Sequence, residues 1–146
     1  MIVAHGHYPA FDGPAPLPSS LSKNIITGLL REELGFKGLT MTDDLEMGAI
    51  IEARELSEAA VLAVEAGIDM VMIADSSSTE RATTAWEAMV KAANEGRINK
   101  THWNRAFDHL ARIKSMLSPP LAYSEQAVAR IRERIGELNL TLQHSK

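Results

Sequence analysis

The sequence predicts an α/β protein in which short parallel strands alternate with helices. Three apolar runs of strand length, at residues 1–5, 37–42 and 68–74, are each followed by a longer segment with helical periodicity. This alternation favours parallel pairing, because each helix carries the chain back to the same end of the sheet. The second run leads directly into two adjacent carboxylates, Asp43 and Asp44. The carboxyl ends of parallel strands hold the chemistry of barrel enzymes, so this pair is the first candidate for a functional site.

The first predicted strand, Met1–His5, is a short apolar run that ends in a polar residue. This pattern is typical of a buried parallel strand, which would deliver His5 to the functional end of the sheet. The next segment, Gly6–Ser20, contains four prolines, which preclude a regular helix there. A loop of this length beside a catalytic face is usually functional.

A helix is predicted to begin after Ser22, a suitable N-cap, and to end at Gly35. Its apolar positions share one face: Ile25, Ile26, Leu29, Leu30 and Leu34. In the strand that follows, 37–42, apolar Leu39 and Met41 alternate with threonines, so this segment is predicted to enter the sheet.

Two further helices and the third strand are predicted after the acid pair. The first helix covers Ala53–Ala66, has a stripe of small apolar residues suited to close packing on a sheet, and ends at Gly67. The third strand is Ile68–Ala74. Asp75 and the serines after it are expected to cap a helix over Thr79–Glu95.

The remainder of the chain is predicted to be helical. A helix over Lys100–Leu117 is expected to stop before the two prolines at 119–120. Its buried face is predicted to contain Trp103, Phe107, Leu110 and Ile113. His102 and His109 are interpreted as ordinary surface residues of that helix. An amphipathic tail helix is predicted over 124–140.

Composition excludes several classes of function. A net charge of −4 provides no basic surface for nucleic acid, and no apolar run approaches the roughly 20 residues that a membrane-spanning helix needs. The absence of cysteine rules out disulfides and thiolate metal sites and fits a reducing compartment. Met1 is followed directly by a strand instead of a signal-like segment. We therefore expect a cytoplasmic protein without nucleic-acid or membrane partners.

Three segments in the same order resemble the family 3 glycoside hydrolases, specifically the β-N-acetylhexosaminidase branch. Thr42–Met47 reads TDDLEM and resembles that branch's Ser/Thr-Asp-Asp-Leu-x-Met signature, and Ala4–Asp12 resembles its Ala-His-x-x-Tyr-Pro-Ala segment. Ser22–Gly38 resembles the helix that leads into the strand bearing the nucleophile. The resemblance covers residues 1–117.

The resemblance implies a partial TIM-type (β/α)8 barrel, because the family's barrel begins upstream of the position that Met1 matches. We expect about the last three β/α units plus C-terminal helices. Residues 1–118 would be the C-terminal part of the catalytic barrel, and 119–146 a C-terminal helical tail.

The reaction implied by the resemblance is retaining hydrolysis of terminal β-linked N-acetylglucosaminides. Asp43 matches the family's nucleophile, and no cofactor or metal is implied. His5, Asp44 and Met47 are the candidate substrate-binding residues. A metal site is not expected, since His5, His7 and the two aspartates lack the local spacing of metal ligands.

Each candidate also has a structural interpretation. An aspartate at a strand end often caps the following turn, although the surrounding signature favours a catalytic Asp43. Asp44 is expected to support its neighbour by ordering backbone or side chains. His5 could bond a sugar hydroxyl or the surroundings of the nucleophile, or be a satisfied structural residue. Met47 could line the sugar site or fill the core.

The family's Lys-His sugar-binding pair and its His-Asp acid/base loop are not found in these 146 residues. A nucleophile without its general acid is expected to be a poor catalyst, so the isolated chain should be inactive or weak. A half-barrel would also leave a strand edge and apolar surface uncovered. The expected partners are a carbohydrate substrate and either an N-terminal half-barrel or a second copy of the chain.

Two functions follow from these observations. The chain is either the nucleophile-bearing fragment of a retaining β-N-acetylhexosaminidase, or a non-catalytic remnant that acts as a binding or assembly module. Within the first, phosphate could replace water as the acceptor. A β-glucosidase is disfavoured, because that branch usually has Ser-Asp-Trp where Thr42-Asp43-Asp44 stand here.

Overall fold

Three parallel strands form the sheet of this protein, as predicted. A computed structural model describes residues 1–74, 79–118 and 124–144, except for the side chains of 139 and 142–144. The strands are β1 (Ile2–Val3), β2 (Met41–Asp44) and β3 (Met70–Met72). They pair in the order β1-β2-β3, and both pairings are parallel. The α/β class is therefore confirmed.

The strands are shorter than predicted, and the second is shifted toward the acid pair. β1 pairs with β2 only through Ile2 and Val3. β2 begins at Met41 because the backbone N–H of Thr40 bonds the Asp69 carboxylate, 2.9 Å away, instead of a neighbouring strand. Asp43 and Asp44 thus belong to the strand itself, where the backbone is held by β3.

The segment between β1 and β2 is more ordered than a plain loop. It contains one helical turn, α1 (Pro9–Asp12), a 3₁₀ turn over Ser19–Leu21 and a π-helix over Asn24–Glu33. The predicted cap is present, since Ser22 Oγ accepts the N–H of Ile25 at 3.1 Å.

The centre of the core is an alanine-rich helix. The helices after β2 are α2 (Gly48–Ile51), α3 (Leu56–Ala66) and, after β3, α4 (Glu80–Asn94). The small residues predicted to allow close packing are buried on α3, which packs against α4 and the 3₁₀ turn: Ala59, Ala60, Ala63 and Ala66. Gly67 ends α3 with φ +115°, and a Cβ there would lie 2.7 Å from Thr27 Oγ1. The predicted cap at Asp75 and the serines lies outside the described residues.

Helix α5 (Lys100–Met116) is rotated relative to the prediction. Phe107 is 63% exposed and Ile113 is 40% exposed, so their predicted burial is wrong. The face of α5 that is turned inward carries His102 and Ala106. This orientation places His109 and Arg105 next to the buried carboxylate of Asp69. The prolines predicted to stop this helix lie outside the described residues.

The chain divides into two compact units, Met1–Met116 and Leu117–Lys146. The second contains α6 (Glu125–His144), which exposes Ile131, Ile135 and Leu138. No helix in the described part of the chain is long and apolar enough to cross a membrane.

Candidate active site

The candidate site lies at the carboxyl end of β2. Thr42 is fully buried, and its hydroxyl accepts the N–H of Met72 at 2.9 Å, which ties β2 to β3. Leu45, just beyond the strand, is also fully buried. Between these anchors Asp43 and Asp44 are only half-buried. Two packed residues therefore hold the acid pair in a rigid backbone.

Asp43 makes few contacts. Its Oδ1 accepts the backbone N–H of Asp44 at 2.9 Å, and no other partner is found for this carboxylate among residues 1–74, 79–118 and 124–144. This short-range bond orients the carboxylate while leaving most of its acceptor capacity unused. Asp43 is therefore a half-buried carboxylate held in place at a strand end, with acceptor capacity that the described residues do not use.

Asp44 has the capping role that the sequence left open for either aspartate. Its Oδ1 accepts the N–H of Glu46 at 3.0 Å and that of Ala74 at 3.2 Å. Its carbonyl oxygen accepts the N–H of Met47 at 3.1 Å. Asp44 thus closes the turn after β2 and ties it to the end of β3.

His5 lies beyond the end of β1 and uses both ring nitrogens inside the protein. Nδ1 lies 2.7 Å from Ser20 Oγ, and Nε2 lies 2.9 Å from the carbonyl oxygen of Asp44. The structure therefore brings His5 to the acid pair, as the sequence predicted, but through the backbone of Asp44.

Met47 lies at the start of α2 and is 46% exposed. It does not fill the core. The preceding residue, Glu46, forms an ion pair with Arg81 of α4, which connects the turn after β2 to the neighbouring helix. Met47 therefore stands at the surface three residues after Asp44.

A buried ionic cluster at the opposite end of the sheet was missed by the sequence reasoning. Asp69, directly before β3, has a fully buried carboxylate whose Oδ2 accepts from Arg31 at 2.8 Å and from His109 Nδ1 at 2.9 Å. Its Oδ1 faces Nε of Arg105 at 3.8 Å. His102 Nε2 donates to the Ile68 carbonyl at 3.0 Å. The interpretation of His102 and His109 as surface residues is therefore wrong.

One sequence signal could have revealed this cluster. His102, Arg105 and His109 recur at intervals of three and four residues, so they share a face of α5. Polar side chains on the buried face of a helix need hydrogen-bonding or charged partners in the core. The acidic partner, Asp69, stands directly before an apolar strand.

The electrostatics of the cluster follow from its contacts. Burial alone would raise the pKa of Asp69, but hydrogen bonds from the Thr40 backbone and His109, and the charge of Arg31, outweigh it and lower that pKa. Burial, reinforced by the charge of Arg105, lowers the pKa of His102. Asp69 is thus held ionised and His102 neutral.

No group of three or more His, Asp or Glu side chains in the described ranges is placed to hold a metal ion. The arrangement at the end of β2 provides one oriented carboxylate that is not used to close the turn, that of Asp43. That group can act as a nucleophile or as an acceptor for a sugar hydroxyl.

Comparison with known proteins places the chain in a family. Residues 1–113 match the family described as "Glycosyl hydrolase family 3 N terminal domain". The Beta-hexosaminidase of Alkalilimnicola ehrlichii is 45% identical over 73 residues, covering 50% of this chain and 20% of that protein. The Beta-hexosaminidase of Nitrosomonas eutropha is 30% identical over 117 residues, covering 80% of this chain and 33% of that protein.

Solved structures give the same result. A glycoside hydrolase family 3 beta-N-acetylglucosaminidase from Paenibacillus sp. FPU-7 superposes with a TM-score of 0.73 at 36% identity, covering 85% of this chain and 24% of that one. CbsA from Thermotoga neapolitana gives a TM-score of 0.72 at 32% identity, covering 91% of this chain and 28% of that one.

These matches have a limited extent. The chain spans between a fifth and a third of the length of these two curated relatives. The matched domain is described as N-terminal in the family, which gives no support to the narrower assignment to the C-terminal part of the barrel. That assignment stays a prediction. With more than three quarters of its residues matched by the family, the chain belongs to glycosyl hydrolase family 3.

Proposed function

We propose that this chain carries the nucleophile of a retaining β-N-acetylhexosaminidase acting on terminal β-linked N-acetylglucosaminides, and that this nucleophile is Asp43. The observation that carries the proposal is the difference between the hydrogen bonds of the two aspartate side chains. Asp44 closes the turn with two backbone N–H groups, while the Asp43 carboxylate accepts only the Asp44 N–H among the described residues. The names of the similar proteins, hexosaminidases and an N-acetylglucosaminidase, support the substrate class.

The chemistry requires an ionised carboxylate below the anomeric carbon. One oxygen of Asp43 attacks that carbon and the bond to the aglycone oxygen breaks, which gives a covalent glycosyl-enzyme. Water then attacks the same carbon, and the bond to Asp43 breaks. A general acid/base must stand about 5 Å from the nucleophile to protonate the leaving oxygen and later activate the water.

In this proposal the acid/base comes from polypeptide that completes the barrel. β1 pairs with β2 on one side, and around its other side lies an apolar groove of about 340 Å³. Met1, Ile2, Tyr8 and Leu34 line this groove and are each more than half exposed. A preceding strand and helix of an N-terminal half-barrel would pair with β1 and cover these side chains. The chain would then be the C-terminal part of the catalytic barrel, with little activity of its own.

Met47 has the exposure expected of a residue that lines the sugar site, and we assign it that role. A Met47→Ala variant should raise KM for the glycoside more than it lowers kcat, because it removes a binding contact and leaves the nucleophile intact. An unchanged KM would remove Met47 from the site.

The direct test is release of p-nitrophenol from its β-N-acetylglucosaminide. This leaving group needs little acid assistance, so the assay reports on the nucleophile. The chain alone and the chain co-expressed with an N-terminal half-barrel would be compared, each with Asp43 and with Asp43→Asn. We expect release by the completed protein and a loss on the order of 10³-fold or more in Asp43→Asn.

Two controls make the result decisive. Circular dichroism must show that the completed protein is folded, and Asp43→Asn should unfold at the same urea concentration, since an asparagine Oδ1 can still accept the Asp44 N–H. A folded, completed barrel that releases no p-nitrophenol would contradict the hexosaminidase proposal and favour the non-catalytic binding or assembly module. Assembly of the chain with itself, seen by size-exclusion chromatography, would instead identify a second copy as the partner.

A further inference from the structure

The backbone ladder between β1 and β2 stops just before the acid pair. β1 pairs through Ile2 with Met41 and through Val3 with Thr42, and no strand pairing to β1 continues to Asp43 or Asp44. On the opposite side β3 does continue, because Asp44 pairs with Met72. The carbonyl of Asp44 lies beyond the last residue pair between β1 and β2.

His5, which follows β1, bonds the Asp44 carbonyl with its side chain. A carbonyl oxygen can only accept, so Nε2 of His5 must carry the proton that it shares with Asp44, 2.9 Å away. In the neutral ring Nδ1 is then an acceptor, and the hydroxyl of Ser20, 2.7 Å away, donates to it. Ser20 is fully buried, so its hydroxyl has a fixed place in the fold. The Asp44 carbonyl thus sets the ring tautomer, and the buried serine holds the ring in place.

The peptide group that follows the acid pair is consequently held from both sides. Its N–H, on Leu45, donates to the Met72 carbonyl at 2.9 Å, and its carbonyl, on Asp44, accepts from His5. Asp43 precedes this peptide by one residue, and its carboxylate is oriented through the Asp44 N–H. A shift of this peptide would therefore move the Asp43 carboxylate.

We infer that His5 and Ser20 are positioning residues for the Asp43 nucleophile: Ser20 holds the ring of His5 in place, and His5 clamps the peptide that sets the direction of the carboxylate. The inference rests on the proposed function, in which Asp43 attacks the sugar. Because both ring nitrogens are engaged within the protein, His5 acts through Asp44 and does not contact the sugar. A displacement of about 1 Å at a nucleophile can lower the rate on the order of 10²-fold.

The 3₁₀ turn offers a matched pair of variants. Ser19 and Ser20 are both buried, and each donates a hydrogen bond across 15 residues, but Ser19 bonds the Ala4 carbonyl while Ser20 bonds His5. Ser20→Ala should lower kcat of the completed barrel several-fold with little change in KM, whereas Ser19→Ala should leave kcat unchanged at similar thermal stability. Equal losses of kcat in the two variants would show that the Ser20–His5 contact only stabilises the loop, and this result would overturn the inference.

Substitutions of His5 provide a rescue test. His5→Phe removes both hydrogen bonds, and we expect kcat to fall roughly 10- to 100-fold with KM within about threefold of wild type. His5→Gln keeps an N–H that can reach the Asp44 carbonyl, so it should recover most of the activity. A folded His5→Phe variant with wild-type kcat would contradict the inference.

Two measurements on the 146-residue chain are independent of catalysis. The ¹⁵N shifts of the His5 ring should report the Nε2–H tautomer in the wild type, and a ring protonated on Nδ1 alone would contradict the bond to the Asp44 carbonyl. The Met47 amide, whose acceptor is the same Asp44 carbonyl, should exchange faster with solvent in His5→Phe. An inactive completed barrel would count against the proposed function alone, and these two measurements would still accept or reject the clamp.

Discussion

Two aspartates at opposite ends of the same sheet have opposite environments. Asp43, at the carboxyl end of β2, is half-buried and accepts one backbone N–H from its neighbour within the described residues. Asp69, before the amino end of β3, is fully buried and surrounded by Arg31, Thr40 and His109. Among the described residues, the aspartate side chain has one hydrogen bond at one end of the sheet and several charged and polar partners at the other.

Under the proposed function, the two ends of the sheet separate chemistry from stability. A fully buried carboxylate cannot reach a substrate, whereas a half-buried one with spare acceptor capacity can. In barrels the carboxyl ends of the strands hold the catalytic groups, and the amino ends contribute stability. We therefore expect changes at Asp69 to affect unfolding and changes at Asp43 to affect catalysis.

The largest effect on stability is expected at Asp69. Asp69→Asn leaves Arg31 buried without its counter-charge, which should lower the free energy of unfolding by about 3–5 kcal/mol. Urea unfolding followed by tryptophan fluorescence measures this change. A matched control is Glu65→Gln, which weakens the exposed pair with Arg97 and should move the midpoint little. Equal shifts in the two variants would contradict the structural role given to the buried cluster.

The free energy of unfolding should decrease in two separate pH ranges as the solution is made more acidic. His102 has a lowered pKa when folded, so its contribution is present above pH 6.5 and is lost as pH falls below that value. Asp69 also has a lowered pKa when folded, so its contribution is lost only as pH falls below about 3.8. Each proton can change stability by at most about 1.4 kcal/mol per pH unit.

Urea titrations from pH 8 to pH 3 test these two ranges. His102→Gln should flatten the decline that begins near pH 6.5, because the unfolded chain no longer takes up a proton there. Asp69→Asn should flatten the decline at acidic pH. A decline near pH 6.5 that persists unchanged in His102→Gln would assign that range to another group.

The smallest effect is expected at Asp44. Asp44→Ala removes the acceptor of the Glu46 and Ala74 N–H groups and should lower the free energy of unfolding by about 1–2 kcal/mol. Asp44→Asn keeps an Oδ1 acceptor and should stay close to wild type in both stability and kcat. A marked rise in KM for Asp44→Asn would instead show that this carboxylate contacts the sugar directly, as the sequence analysis allowed.

Local patterns in the sequence were sufficient to predict the three strands, the longer helices and the acid pair, but not the short helical turns or the exact strand bounds. The alternation of apolar runs with helical segments gave three parallel strands, and the position of Asp43 and Asp44 at a strand end follows from adjacent residues alone. The small residues of α3 likewise predicted close packing, because their spacing is a property of one helix.

The contacts that decide the role of each residue were not predictable in this way. His5 meets Asp44 across 39 residues, and Asp69 meets Arg31 across 38 and His109 across 40. No local spacing encodes such pairs. The burial of Phe107 and Ile113 on α5 was also predicted incorrectly, although Trp103 of the same predicted face does pack against the core. Apolar side chains suggest burial, whereas here the buried charge of Asp69 is contacted by the polar face.

The most direct test of the account is to identify the carboxylate that becomes glycosylated. The completed barrel would be mixed with p-nitrophenyl β-N-acetylglucosaminide, quenched in acid during turnover, digested and analysed by peptide mass spectrometry. We predict one N-acetylglucosaminyl unit on the peptide containing Asp43, with fragmentation placing it on Asp43 and not on Asp44. Turnover with the sugar attached to another carboxylate, or with no covalent adduct at all, would contradict the assignment of Asp43 as the nucleophile.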